Sequence, residues 1–167
     1  EVQDNDDATS VVRQILKAIE KALDAVLPNL KKGIFITTPQ DESKATYLGK
    51  RNPEDGCIDW KQSAASIHQL IRATTKPLPG AYTYLGTKKV IVWKASISEI
   101  TNHLGVVGRI VIADENSGVH IQTGEGLLKL EHIEGLEMEA LKVGNTFGLN
   151  FEKEYFKLSE RIKTIEN

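Results

Sequence analysis

The run from Tyr47 to Leu85, YLGKRNPEDGCIDWKQSAASIHQLIRATTKPLPGAYTYL, decides how the rest of the chain is read. Its opening, YLGKRNPEDG, carries Gly, Pro and charge without helical or strand period, which makes it loop. Ser63 is a good N-cap for AASIHQLIRAT, because its hydroxyl can accept from a free first-turn amide. Ile67, Leu70 and Ile71 then form one apolar stripe, and Pro77 and Pro79 forbid continuation of the helix. AYTYLG follows as a strand, turns at Gly86-Thr87 and returns as KKVIVWKASI.

Three more short strands are expected in VVGRIVIAD, GVHIQTG and LLKLEHI, separated by turn signals at DENSG and TGEG. Five short strands with one helix predict an α+β domain built on a small OB-like β-barrel over residues 63–148. EGLEMEALKVGNTFGL reads as a short helical turn and a closing segment. Upstream, Val12, Leu16, Ile19, Leu23, Val26 and Leu30 recur at steps of three and four, one face of a long helix. Asp6 or Asp7 suits its start, Lys31, Lys32 and Gly33 its end, and Pro28 either stops it early or bends it. GIFIT (33–37) reads as a short strand, and residues 38–62 as a linker longer than most connections. Downstream, Phe151, Tyr155, Leu158, Ile162 and Ile165 make residues 149–167 an amphipathic helix, folded back on the barrel or used for self-association.

The 167 residues suffice for one compact domain plus an appendage. A charge of -2 speaks against a dedicated nucleic-acid binder, which is usually basic overall. Cys57 is the single cysteine, so neither an intrachain disulfide nor a thiolate metal cluster is expected, and a cytoplasmic location fits. No apolar run approaches the roughly 20 residues of a membrane span. His68 has no Asp or Ser at dyad spacing, and a lone histidine near an apolar helix face is ordinarily a packing or surface group. Arg72 has the chemistry to reach a phosphate or carboxylate but reads first as a solvated helix-end arginine. Lys88 and Lys89 read as exposed turn charges. GEGL lacks the Lys-Ser/Thr ending and the strand-to-helix context of a phosphate loop.

TPQDESKATY (38–47), PEDGCIDW (53–60), the Ile71-Arg72-Ala73 step and PLPGAYTYL (77–85) together resemble the formyltransferases that use formyltetrahydrofolate, the group of methionyl-tRNA formyltransferase and the sugar N-formyltransferases. The resemblance covers about residues 5–148. It marks Asp59, Trp60, Pro79 and Gly80 as structural motif residues, with Trp60 as a large anchor pinning the chain to a core. The Gly-Lys-Arg form after Tyr47 is similar to that of enzymes acting on nucleotide-linked amino sugars. It implies acceptor contacts from Tyr47, by stacking, and from Lys50 and Arg51, by meeting a phosphate.

The family's catalytic Asn, His and Asp, near a Ser-Leu-Leu-Pro loop, lie in an N-terminal domain. That loop does not occur here, and Asn102-His103 is adjacent rather than spaced by one. No catalytic residue, metal or bound cofactor is therefore expected of this chain, and formyltetrahydrofolate belongs to an intact parent. Residues 1–37 are then either a core helix with its strand or the remnant of an α/β catalytic domain with its apolar face left bare. The expected partners are the missing catalytic domain and the parent's small-molecule or tRNA acceptor, with no membrane. Two other readings stand beside this one. One is an OB-type RNA-binding module; the other is a structural domain forming a homodimer through its N- or C-terminal helix.

Overall fold

The computed structural model describes residues 1–148 together with Tyr155, Leu158, Ser159 and Ile162. Its first helix, α1, spans Ala8–Lys31. Asp7 is the N-cap: its carboxylate accepts from Ser10 N at 2.8 Å, and Ser10 Oγ accepts from Asp7 N at 2.9 Å. This reciprocal pair satisfies two amides that the helix itself leaves unbonded. Pro28 sits inside the helix without stopping it, and only one further turn follows. Gly33, with φ +73°, then takes the chain out of the helix in a conformation that disfavours a side chain.

The strand expected at 33–37 does not form. Residues 34–40 have no partner strand within the described residues, and a strand exists only by pairing. Ile34, Phe35 and Ile36 are accordingly exposed. The linker that follows is loop broken by two 3₁₀ turns, Glu42–Lys44 and Pro53–Gly56.

The packed body begins at Cys57. Helix α2 spans Ala64–Thr74, and Ser63 caps it as its sequence predicts, accepting from Ser66 N at 3.1 Å. Five strands follow: β1 (Ala81–Leu85), β2 (Lys88–Ile97), β3 (Ile110–Asp114), β4 (Gly118–Gln122) and β5 (Leu127–Glu134). They form one antiparallel sheet in the order β1-β2-β5-β4-β3, an α+β arrangement. A 3₁₀ turn, Met138–Ala140, leads into the closing segment. That segment bonds to both edges of the sheet. Phe147 N donates to Gly108 O beside β3, and Gly148 N donates to Tyr84 O in β1, each at 2.8 Å. Neither edge is left fully open to pair with another chain.

The inward positions of the strands, among them Val90, Val92, Ile110, Ile121 and Leu128, meet Ile67 and Ile71 of α2 and the ring of Trp60 in one hydrophobic core. His120 lies within it as a satisfied histidine, its two ring nitrogens 2.9 Å from Ser98 Oγ and 2.8 Å from Ser117 O. Of the expected tail helix, Tyr155, Leu158, Ser159 and Ile162 are helical, and the remainder of 149–167 lies outside the described residues.

α1 contributes no buried residue to this core. It is attached at its leading end, where Thr9 Oγ1 donates to Lys76 O, and Arg72 Nη1 donates to Asp4 O and, at 3.1 Å, to Asp6 O. Its six-residue apolar stripe, Val12 to Leu30, stays between 39% and 56% exposed.

Candidate functional site

Two clefts flank the end of α2. The smaller, about 230 Å³, is lined by Arg51, Asn52, Thr74, Leu78, Pro79 and Gly80. Folding thus brings Arg51 against the Pro79-Gly80 motif, 28 positions away in the chain. Arg51 Nη2 donates to Asp55 O at 3.2 Å, and Asn52 N to Asp55 Oδ2 at 2.7 Å, which holds this part of the loop in a turn. Tyr47 and Lys50 do not line that cleft. Tyr47 is 86% exposed, with its hydroxyl 3.4 Å from the Glu42 carboxylate, and Lys50 is exposed.

The larger cleft, about 570 Å³ and half-open, lies between the leading end of α1, the last turn of α2, and strands β2 and β5. Its floor is Ile71 and Ala95, and its polar wall includes His68, Arg72, Lys76, Trp93, Glu131 and His132. Two bulges make it. Between Val92↔Ile133 and Lys94↔His132 the register gains a residue on β2, and between Lys94↔His132 and Ala95↔Leu130 it gains one on β5. The extra residues are Trp93 and Glu131. A bulge bends its strand and re-aims side chains, and here inward positions pass from Val90 and Val92 to Ala95.

Gly80 helps to seat Trp93. A Cβ there would lie 2.9 Å from Trp93 Cζ3 and 2.5 Å from Ile91 Cγ2, at φ +88°. Trp93 Nε1 donates to Glu134 Oε2 at 2.8 Å, and Lys76 Nζ stands 5.1 Å from the ring centroid. Lys94 and Glu131 pair at 2.8 Å, and each holds the other in its charged form: Glu131 falls below its ordinary range and Lys94 rises above its own.

Burial pushes the His68 imidazolium towards neutrality, and the Arg72 charge adds to that. The Glu131 charge and the Ala95 carbonyl oppose it. A histidine released by unfolding takes its proton near pH 6.5, before the folded one does. Between pH 6.5 and the lower folded value the unfolded chain therefore binds more protons, and stability falls as pH falls. Above pH 6.5 His68 contributes no slope. Urea unfolding of His68→Gln is expected to be flatter than wild type between pH 7 and 5, whereas the Glu131 contribution disappears only as pH falls below about 4.5.

Asn5, Asp7 and His68 line this one cleft, the residue types that a formyl donor site would need. They do not make such a site. Asp7 is committed to capping α1, His68 is turned to the Ala95 carbonyl, and no hydrogen bond joins the three. With neither a base aimed at an amine nor paired donors for an oxyanion, Asn5, Asp7 and His68 do not form a formyl-transfer site.

Several residues here escape a reading of the sequence. Arg72 is half-buried and clamped to carbonyls rather than solvated. Tyr82 and Tyr84 meet edge to face with centroids 5.9 Å apart, and Lys89 Nζ lies 4.0 Å from the Tyr82 centroid, so Lys89 is more than a turn charge. The alternation in AYTYL carried that signal, since Tyr82 and Tyr84 must share a face. His132 and Glu131 enter the cleft through the bulges, which leave no local mark. The remaining motif residues are structural: Asp59 Oδ1 accepts from Lys61 N at 3.0 Å, and Trp60 is buried in the core.

Comparison with known proteins agrees with this geometry. A crystal structure of a multiply substituted variant of HypX from Aquifex aeolicus is similar at 26% sequence identity and a TM-score of 0.55, over 72% of this chain and 20% of that one. This chain thus corresponds to about a fifth of that protein's length. The family model described as formyl transferase, C-terminal domain matches residues 50–148, the linker end, α2 and the whole sheet. The chain belongs to the formyl transferase C-terminal domain family.

Proposed function

We propose that this chain is the accessory part of a formyltransferase whose intact form moves a formyl group from formyltetrahydrofolate to an amine, and that α1 docks it to the catalytic α/β domain. One observation carries this reading: a regular, well-capped helix, ahead of the matched family region, keeps a continuous apolar stripe in solvent. Half-exposed Leu, Ile and Val side chains gain on the order of 1 kcal/mol each when covered. A stripe of six, continued by Ile34, Phe35 and Ile36, favours a large apolar partner. Arg51, set against Pro79 and Gly80, is the residue best placed to meet a phosphate of a nucleotide-linked amino sugar, while Tyr47 and Lys50 stand exposed on the linker ahead of it.

Formyl transfer is expected from the catalytic domain combined with this chain, and not from this chain alone. Replacing Leu16 and Leu23 by lysine is expected to weaken that association at least tenfold while leaving the urea midpoint of the sheet domain unchanged, because neither side chain reaches its core. Light scattering of the chain alone at several concentrations separates this from self-association. A stable dimer broken by the same substitutions would replace the catalytic domain with a second copy as the occupant of α1.

A second reading has one observation in its favour. Tyr82, Tyr84 and Trp93, interspersed with Lys76 and Lys89, resemble the stacking surfaces that hold single-stranded nucleic acid. Filter binding of tRNA at two salt concentrations tests it, since phosphate contacts weaken steeply with salt.

A further inference from the structure

We infer that the larger cleft is a binding site for a phosphate monoester carried on a planar ring, held by the free edge of Arg72, by Lys76 and by the Trp93 face. The inference does not depend on the docking role of α1 or on the acceptor.

A guanidinium offers two parallel donors along its Nε–Nη2 edge, the geometry that grips an oxyanion with two bonds. In Arg72 the opposite nitrogen, Nη1, is committed to the carbonyls of Asp4 and Asp6. Those bonds fix the plane of the group and leave the two-pronged edge unused. Arg72 Nε is buried and meets no acceptor, and Nη2 makes no hydrogen bond among the described residues. An unsatisfied buried donor is costly, the more so on a cation.

The charges in the cleft are unbalanced in the same sense. Glu131 is committed to Lys94, and Asp7 to the cap of α1. Arg72 and Lys76 have no carboxylate partner among the described residues. Two cations without counter-ions fit a dianionic phosphate better than a carboxylate. The half-buried Trp93 ring, with Lys76 over it, supplies a flat wall for a ring attached to that phosphate. A volume of about 570 Å³ admits such a molecule.

Titration of the full chain with phenyl phosphate, followed by tryptophan fluorescence, tests the site. Trp60 is buried in the core, so the signal reports Trp93. Saturable quenching with a sub-millimolar Kd is expected. Inorganic phosphate should bind at least about tenfold more weakly, for want of the ring. Arg72→Lys keeps the charge but removes the paired donors, and should weaken phenyl phosphate about tenfold or more. Lys76→Ala, an exposed position outside the core, guards against a folding defect in the first variant and should also weaken it severalfold. No saturable signal, unchanged affinity in both variants, or benzoate binding as tightly as phenyl phosphate would overturn the assignment.

Discussion

Replacing Trp60 by alanine is expected to lower the unfolding free energy by about 3–5 kcal/mol, measured by urea denaturation. The ring is 5% exposed and stacks on Phe147 at 5.7 Å, so its removal opens a cavity between α2 and the closing segment. It also carries a side-chain hydrogen bond that ties the linker to β1, from Nε1 to Thr83 Oγ1 at 2.9 Å. Thr83 is 1% exposed, so its hydroxyl would lose that partner with little access to water. Trp60→Phe separates the two effects. It keeps an aromatic face towards Phe147 and loses the hydrogen bond, and should fall between wild type and alanine. A Trp60→Ala loss under about 1 kcal/mol would show that the ring only covers the core rather than anchoring the chain to it.

Gly124→Ala is expected to cost about 3 kcal/mol, for a different reason. A Cβ at Gly124 would stand 1.8 Å from Lys61 O and 2.6 Å from Lys61 C. Both are backbone atoms, so no rotamer change relieves the contact, and the two segments must part. Parting them strains the bonds from Gly124 N to Trp60 O and Gln62 O, both 2.9 Å, and from Ala64 N to Glu125 O, also 2.9 Å. These bonds hold the β4–β5 turn against the entry to α2. Gly49→Ala, where nothing lies within 4 Å of the added carbon, is the matched control and should change stability little. A Gly124→Ala midpoint equal to that of Gly49→Ala would mean the entry to α2 adapts without loss.

Much of this arrangement is legible in the chain because it is local. Ser63 and the two prolines bracket α2, Gly86-Thr87 sets the first hairpin, and alternation marks the strands. Trp60 is readable as an anchor because a large ring in a polar linker has few other uses. What the sequence hides is long-range. Arg72 meets Asp4 and Asp6 across more than 60 residues, and no spacing rule predicts a guanidinium clamped to backbone carbonyls. The bulges at Trp93 and Glu131 follow from the pairing of β2 with β5, so His132 and Lys94 enter the cleft without a local signal. Apolar period told that α1 has a sticky face but not whether that face is covered, since period is the same in both cases. GIFIT has the composition of a strand, yet composition cannot supply the neighbour that a strand needs. For the acceptor loop, the resemblance named Tyr47, Lys50 and Arg51, and only Arg51 is drawn against the folded body.

The account rests on a division of labour, in which this chain supports and docks while the groups that activate an amine and hold the one-carbon donor reside elsewhere. The cleft lined by Asn5, Asp7 and His68 is where that division is most exposed to refutation, since the right residue types meet there without being joined. Calorimetric titration of the full chain with a formyltetrahydrofolate tests it most directly. The account predicts no binding in the micromolar range; a micromolar Kd, lost on replacing His68, would contradict it and place a donor site within this chain.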